Sequence, residues 1–279
     1  MNALKRKIQA LLARFGLHNR LRASFLYDFY WKIADRRRID EITEEFKFYR
    51  KLLDGFHPGD LIFDVGANDG TKCGIFLKVG ARVVAVDPDE HNQKVIKEKY
   101  LTYRITPKPV IVVGKAVSDK TAVEVMWIDA PGSALNTLSR KWADTLETDK
   151  ERFGQNLSFE RQKEIETTTL EQLMINYGQP FFVKIDVEGY ERNVLSGLQR
   201  PVRYLSFEVN LPEFMPEGLE CIEMLGRLAS DGKFNYTIEL KDGLKLAQWV
   251  GAPEFKEMFK KFPQQTVEVF WNVPTAPGK

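Results

Sequence analysis

Leu61-Ile62-Phe63-Asp64-Val65-Gly66-Ala67-Asn68-Asp69-Gly70 is the stretch on which the fold turns. Five residues read as a short buried strand, and a loop closed by glycines carries the chain into a helix that runs to about Val79. Upstream, Gly59-Asp60 marks a turn. Downstream the unit repeats. Arg82-Val83-Val84-Ala85-Val86 is a second strand ending at Asp87-Pro88, His91 to Tyr100 is a second helix, and Pro109 to Val117 is a third strand. Short apolar strands alternating with helices predict an α/β fold with a mostly parallel, doubly wound sheet and helices on both faces.

The pattern continues outward. Residues 121–129 alternate and add a strand. Residues 130–166 are polar, with Gly132, Asn136, Gly154 and many charges, and read as an insertion, partly helical, that covers an active site. Thr168-x-x-Glu171 ahead of Leu170, Leu173 and Met174 has the form of a capping box. Phe181 to Asp186 is the fourth strand, Glu191 to Leu198 a helix, Tyr204 to Val209 the fifth strand and Cys221 to Ser230 a helix. Asn235 to Leu240 and Thr266 to Trp271 are late strands expected to pair antiparallel at one sheet edge. Residues 2–54 carry apolar residues at helical spacing in three stretches. The expected organisation is an N-terminal helical extension over 1–56, one domain over 57–273 that includes the insertion, and a loose tail over 274–279. There is no internal repeat.

Composition narrows the function classes. The 279 residues are 43% hydrophobic and 29% charged, ordinary for a globular chain with a sizeable core. The net charge of +2 hides an asymmetry. Residues 1–38 hold ten Lys/Arg against Asp28 and Asp35, a balance of +8, which leaves −6 for the rest. A basic front end on a mildly acidic body points to an acidic partner, a membrane surface or another chain, and away from a nucleic-acid channel through the body. Its competing reading is a helical cap with a solvated basic face. Cys73 and Cys221 stand outside any CxxC or zinc spacing, so they read as two buried thiols of a reducing, cytoplasmic compartment. The apolar runs fall short of the ~20 residues a membrane span needs. Arg14 interrupts the apolar stretch after Lys5–Lys7 too early for a signal peptide.

Five constellations carry chemistry. The first is the loop itself. Its spacing is Gly66-x-x-x-Gly70, neither the G-x-G-x-x-G of a dinucleotide fold nor the Gly-Lys-Ser/Thr of a P-loop. An Asp-headed loop without phosphate ligands suits a ligand bearing an ammonium group, and S-adenosylmethionine is such a ligand. The second is Asp87-Pro88-Asp89, where an acid at a strand tip accepts hydrogen bonds from ribose hydroxyls, with Asp87 ahead of Asp89 in that role. The third is Ala116-Val117-Ser118-Asp119, whose Ser118 and Asp119 are placed to meet an adenine ring. The fourth is Lys184-Ile185-Asp186-Val187-Glu188-Gly189-Tyr190-Glu191. Period-two geometry puts Lys184, Asp186 and Glu188 on one side, and three ionisable groups at the tip of an apolar strand are costly without a function. The fifth is Ser206-Phe207-Glu208-Val209-Asn210, with Glu208 beside Asp186 and Asn210 on the substrate side. The alternative for these charges is an internal Lys–carboxylate bridge with a structural role only.

With those residues in hand, the chain resembles the FkbM-type methyltransferase family over residues 60–210. The resemblance rests on Asp64-Val65-Gly66-Ala67-Asn68-x-Gly70, Thr168-Thr169-Leu170, Lys184 to Glu191 and Phe207-Glu208, and the Lys-Ile-Asp-Val-Glu-Gly-x-Glu block is its most specific part. It implies a seven-stranded Rossmann-like class I methyltransferase fold that binds S-adenosylmethionine and methylates hydroxyls of sugars, glycans, glycolipids or polyketide-like products. By position it implies Asp64, Gly66, Ala67, Asn68 and Gly70 around the methionine part, Asp87 and Pro88 at the ribose, and Asp186 and Glu188 facing the acceptor. Asp87-Pro88 stands where the family often has Glu-Pro. Asp186 or Glu188 is the expected base, with Lys184 stabilising the oxyanion. Alternatively Asp186, Glu188 and Glu208 hold a divalent metal, since carboxylates suit hard cations. Methylation of a small secondary metabolite is the second enzyme reading. A non-catalytic, cofactor-binding or membrane-associated scaffold is the competing class, and the presence of Asp64, Asp87, Asp186 and Glu188 together argues against it.

Overall fold

The computed structural model describes residues 36–100, 110–149, 157–262 and 265–274. The first two helical stretches expected within 2–54, nearly all of the basic segment 1–38 and most of the tail 274–279 lie outside them. The described elements, in chain order, are α1 (Arg36–Leu52), β1 (Leu61–Val65), α2 (Thr71–Val79), β2 (Arg82–Val86), α3 (Glu90–Tyr100), β3 (Val110–Val113), β4 (Ala116–Val117), β5 (Val123–Ile128), α4 (Arg140–Thr148), β6 (Arg161–Thr168), α5 (Leu170–Tyr177), β7 (Phe182–Ile185), α6 (Glu191–Ser196), β8 (Tyr204–Asn210), α7 (Met215–Leu228), β9 (Lys233–Thr237), β10 (Val250–Gly251), α8 (Ala252–Phe259) and β11 (Thr266–Asn272).

Eight strands form the main sheet in the order β10-β9-β11-β8-β7-β1-β2-β3. β3, β2, β1, β7 and β8 run parallel. β11 enters antiparallel between β8 and β9, and the two-residue β10 closes the far edge. The strand order reverses direction between β1 and β7, so the tips of those two strands form the crevice where open α/β sheets bind ligands.

Alternation along each strand splits the core in two. Leu61, Phe63 and Val65 join Val183, Ile185, Leu205 and Phe207 in one cluster, covered by α4, α5, α6, α7 and α8. Ile62, Val83, Ala85 and Phe182 face the other way, under Tyr49 of α1, Phe76 of α2 and Ile96 of α3. Each fully buried Phe or Leu contributes about 1.5–3 kcal/mol of transfer free energy. On this second face the apolar rows give way, toward the strand tips, to Asp64, Lys184, Ser206, Glu208 and Glu268, a polar row at the carboxyl edge of the sheet.

Four sequence expectations need correction. The third strand is two strands: β3 belongs to the main sheet, whereas β4 leaves it after Gly114-Lys115 and pairs parallel with β6. The insertion is not a separate excursion throughout, because residues 161–166 pair antiparallel with 123–128 and rebuild a small sheet, β4-β6-β5. The helix cap sits one residue later than the capping-box reading. Thr169 accepts from the Gln172 N–H, while Thr168 finishes β6 and its carbonyl accepts from Ser118 N. The helix read from Cys221 begins at Met215, where Pro216 fits the first turn because its missing N–H has no helical partner there.

Candidate active site

The turn after β1 approaches the turn after β7 at backbone contact. A Cβ on Gly66 would stand 1.7 Å from the Asp186 carbonyl oxygen, and the residue has φ +81°, so both space and conformation demand glycine. Asn68 follows with φ 46°, and its N–H donates to Asp87 Oδ2 at 2.8 Å. Asp87 Oδ1 accepts from Asp89 N at 2.9 Å and from Asn92 Nδ2 at 3.3 Å. Burial pushes the Asp87 carboxyl up to about 6, against the pull of these donors. A carboxylate offers about four acceptor sites, so three protein donors leave roughly one for a ribose hydroxyl.

Beside these groups lies an open cleft. Val86, Ala116, Val117, Met126 and Leu138 give it an apolar slot, and Asn68, Asp87, Asn136 and Tyr190 give it polar walls. Such a slot suits a flat apolar ring like a purine, and the acceptor left on Asp87 suits a ribose hydroxyl. No lysine-capped glycine loop of the phosphate-binding kind is present in the sequence. The residue set therefore fits a nucleoside without phosphates, S-adenosylmethionine.

Residues 129–149 roof the cleft and are latched at two points. Asp89 Oδ2 accepts from Gly132 N at 2.8 Å and from Asn136 Nδ2 at 3.0 Å. At the other rim Thr137 Oγ1 donates to the Glu188 carbonyl at 2.7 Å, and the buried Trp142 Nε1 donates to Glu188 Oε2 at 2.9 Å. Glu188 sits at φ 56°. Burial, reinforced by the Asp186 charge, pushes its carboxyl up to about 8. Glu191 braces the same turn by accepting from Val187 N at 3.1 Å and Gly189 N at 3.3 Å.

A second cavity opens beside α1 at the polar row. Lys184 is 4% exposed and pairs with Asp186 Oδ2 at 2.7 Å. Burial alone would lower the Lys184 ammonium's pKa, but the Asp186, Glu268 and Asp64 charges raise it above the ordinary lysine value. Asp186 lines both the cleft and this cavity.

The structure sorts the sequence-derived residues accordingly. Gly66, Asn68, Asp87, Pro88, Asp186 and Glu188 line the cleft. Lys184, Asp186 and Glu208 line the second cavity. Lys184 and Glu188 therefore do not share a side: β7 ends at Ile185, the chain turns, and Glu188 swings to the cleft. Asp64 lines neither space. It is 1% exposed, accepts from Cys73 Sγ at 3.1 Å, and burial raises its carboxyl. Ala67 and Gly70 shape the turn from behind. Ser118 and Asp119 also miss the cleft: Lys115, Ala116 and Val117 line it, and Ser118 Oγ donates to Glu124 at 2.9 Å instead. Asn210 lines neither space; its Oδ1 accepts at 2.6 Å from the hydroxyl of Thr266, which borders the second cavity. Among the described residues no group of three acids, histidines or cysteines has metal-holding geometry, so Asp186, Glu188 and Glu208 do not converge on one centre. Sequence reasoning missed Thr137, Trp142 and Glu268. Only Glu268 left a signal, as an acid inside the apolar run Val267 to Trp271.

A glycine turn after the first strand, an acid at the tip of the second and this strand order are those of the class I methyltransferase fold. Residues 64–260 match the family model described as the Methyltransferase FkbM domain. The chain belongs to that family. Among solved structures it is similar to the methyltransferase FkbM from Methylobacillus flagellatus KT, with 14% identity and a TM-score of 0.52 over 82% of this chain and 47% of that one. It thus spans about half the length of that protein, and the likeness is one of fold. Weaker likenesses are a precorrin-6y C5,15-methyltransferase from Geobacter metallireducens GS-15 (8% identity, TM-score 0.41, 81% of this chain and 86% of that one) and a TehB-like SAM-dependent methyltransferase from Corynebacterium glutamicum (9%, 0.43, 83% and 88%). No curated protein matches the sequence significantly.

Proposed function

We propose that this protein transfers the methyl group of S-adenosylmethionine to a hydroxyl of a sugar, glycan or glycolipid. The observation that carries this reading is the position of Asp186, on the wall of both the nucleoside-shaped cleft and the carboxyl-lined cavity beside α1. Asp87 and the slot from Ala116 to Leu138 hold the donor, while the cavity receives the acceptor. Carboxylates suit hydroxyl recognition because each oxygen takes an O–H hydrogen bond. Bound in the cleft, S-adenosylmethionine supplies an already activated methyl group. Gly66 and the turn from Val187 to Tyr190 align the two ligands, which is most of what an in-line displacement asks of a protein. Asp186 takes the acceptor's proton on the oxygen that Lys184 does not hold, and Lys184 fixes the carboxylate's orientation through the 2.7 Å pair. Glu188, with its carboxyl pushed to about 8, is largely protonated at neutral pH and serves to position the roof.

The test is incubation with labelled S-adenosylmethionine and a panel of glycans, lipid extracts and hydroxylated small molecules, followed by mass spectrometry. Label on a carbohydrate hydroxyl supports the reading, and label confined to nitrogen, carbon or a non-carbohydrate product refutes it. The basic segment 1–38 is proposed to touch an anionic surface, on the strength of its +8 balance. Anionic liposomes should retain the full chain and release one lacking 1–38.

A further inference from the structure

The cavity beside α1 has a charge balance that methyl transfer to a plain alcohol leaves unused. Six carboxylates and three lysines line it. Every one of those lysines is engaged: Lys184 with Asp186 at 2.7 Å, Lys72 with Glu45, and Lys241 with Glu239. Glu41, Glu208 and Glu268 have no ion-pair partner within 4.0 Å among the described residues. Glu208 and Glu268 stand directly opposite each other in the β8–β11 register. Opposed like charges on one sheet face destabilise it, and burial raises both carboxyls. Glu268 Oε1 and the Ser206 Oγ beside it are both shut off from solvent, neither has a hydrogen-bond partner within 3.5 Å, and the Ser206 hydroxyl is the side-chain donor nearest to that carboxyl. A buried polar atom left so costs about 1–3 kcal/mol.

We propose that this cavity binds a primary ammonium group on the methyl acceptor, held between Glu208 and Glu268, so that the acceptor is an amino-bearing polyol such as an amino sugar. The inference rests on the hydroxyl-methylation reading above. An ammonium brings three donors and one positive charge to the facing Glu208 and Glu268, which have no ion-pair partner of their own among the described residues. A divalent cation would need six or more oxygens in a compact shell, and the described residues hold no such group.

The full chain, saturated with S-adenosylhomocysteine, is titrated calorimetrically at pH 7 with glucosamine, galactosamine, glucose and N-acetylglucosamine. Saturation keeps the donor's own amino group from filling the cavity. Each amine should bind at least about tenfold more tightly than its neutral counterpart. Glu268→Gln should collapse that ratio to within about threefold, and Glu208→Gln, equally near-isosteric, serves as the second variant. Thermal unfolding confirms that each is folded. Equal binding of amine and neutral sugar overturns the proposal. So does a ratio that survives in both folded variants, stoichiometric displacement of the amine by Ca²⁺ or Mg²⁺, or no binding of either amine at millimolar concentration. Failure of S-adenosylhomocysteine to bind at all refutes instead the methyltransferase reading on which the proposal rests.

Discussion

The Asp186 carbonyl oxygen occupies the space in which a side chain on Gly66 would begin, with 1.7 Å between it and an ideal Cβ. The two strand-tip turns of the site are thus held at a separation that only glycine permits. Gly66→Ala must move one turn away from the other or strain a positive-φ residue, at about 2–6 kcal/mol. The expected outcome is a lowered unfolding midpoint together with weaker S-adenosylhomocysteine binding. An alanine variant that matches wild type in both would remove this contact from the site.

Asp87 should set the lower pH limit of donor binding. Its carboxyl is raised to about 6, and the ionised form is the one that accepts from ribose hydroxyls. Affinity for S-adenosylhomocysteine should level off about one pH unit above 6 and fall through and below it, approaching about tenfold per pH unit. Asp87→Asn should lose about 1.5–3 kcal/mol of binding at pH 7 and flatten the profile. Calorimetry across pH 5–8 checks both.

Asp186→Asn keeps the shape of the residue and removes its capacity to take a proton. Turnover should drop by about 10²–10⁴-fold while S-adenosylhomocysteine affinity stays within about threefold. Full activity in that variant would end the assignment of the base.

Trp142→Phe deletes the indole N–H that Glu188 Oε2 accepts and keeps most of the ring packing against Phe214, whose centroid lies 5.6 Å away. The cost should be about 1–3 kcal/mol of stability, since a buried carboxyl oxygen loses its donor. Titration of Glu188 should shift upward as well, because that bond favours the charged form. Denaturant unfolding and NMR titration read the two effects.

Stability itself should decline between pH 4.5 and pH 8. Burial raises the carboxyls of Asp64, Glu188, Glu191, Glu208 and Glu268, so the folded state binds more protons than the unfolded chain in that window. An acid with a raised folded pKa stabilises the fold while protonated and loses that contribution as pH climbs toward the folded value. The unfolding midpoint should therefore be higher at pH 5 than at pH 8, and Glu188→Gln should shrink the difference.

What the sequence made legible is what local pattern controls. Strand tips and their turns are contiguous, so Gly66, Asn68, Asp87, Asp186 and Glu188 could be placed at the crevice from spacing alone. Alternation also held the information that Asp64 faces away from the cleft, since it lies between Phe63 and Val65, both in the opposite core. The Asp-x-Gly pattern drew it into the wrong role. The break between β3 and β4 was hidden because a strand that changes sheets keeps its apolar character across the change. The Trp142–Glu188 contact joins residues 46 apart through the packing of α4, and no periodicity reports such a pairing. Glu268 faces Glu208 only because β11 inserts between β8 and β9, a topological fact with no local trace.

Under the proposed assignment Asp186 is a party wall, and a substitution that changes its length would disturb both tenants at once. Only the isosteric amide would alter the acceptor's side and leave the donor's in place. Attempts to redirect this enzyme toward other acceptors would do better at Thr237 and Glu268, which border the α1 cavity alone and leave the nucleoside's lodging untouched.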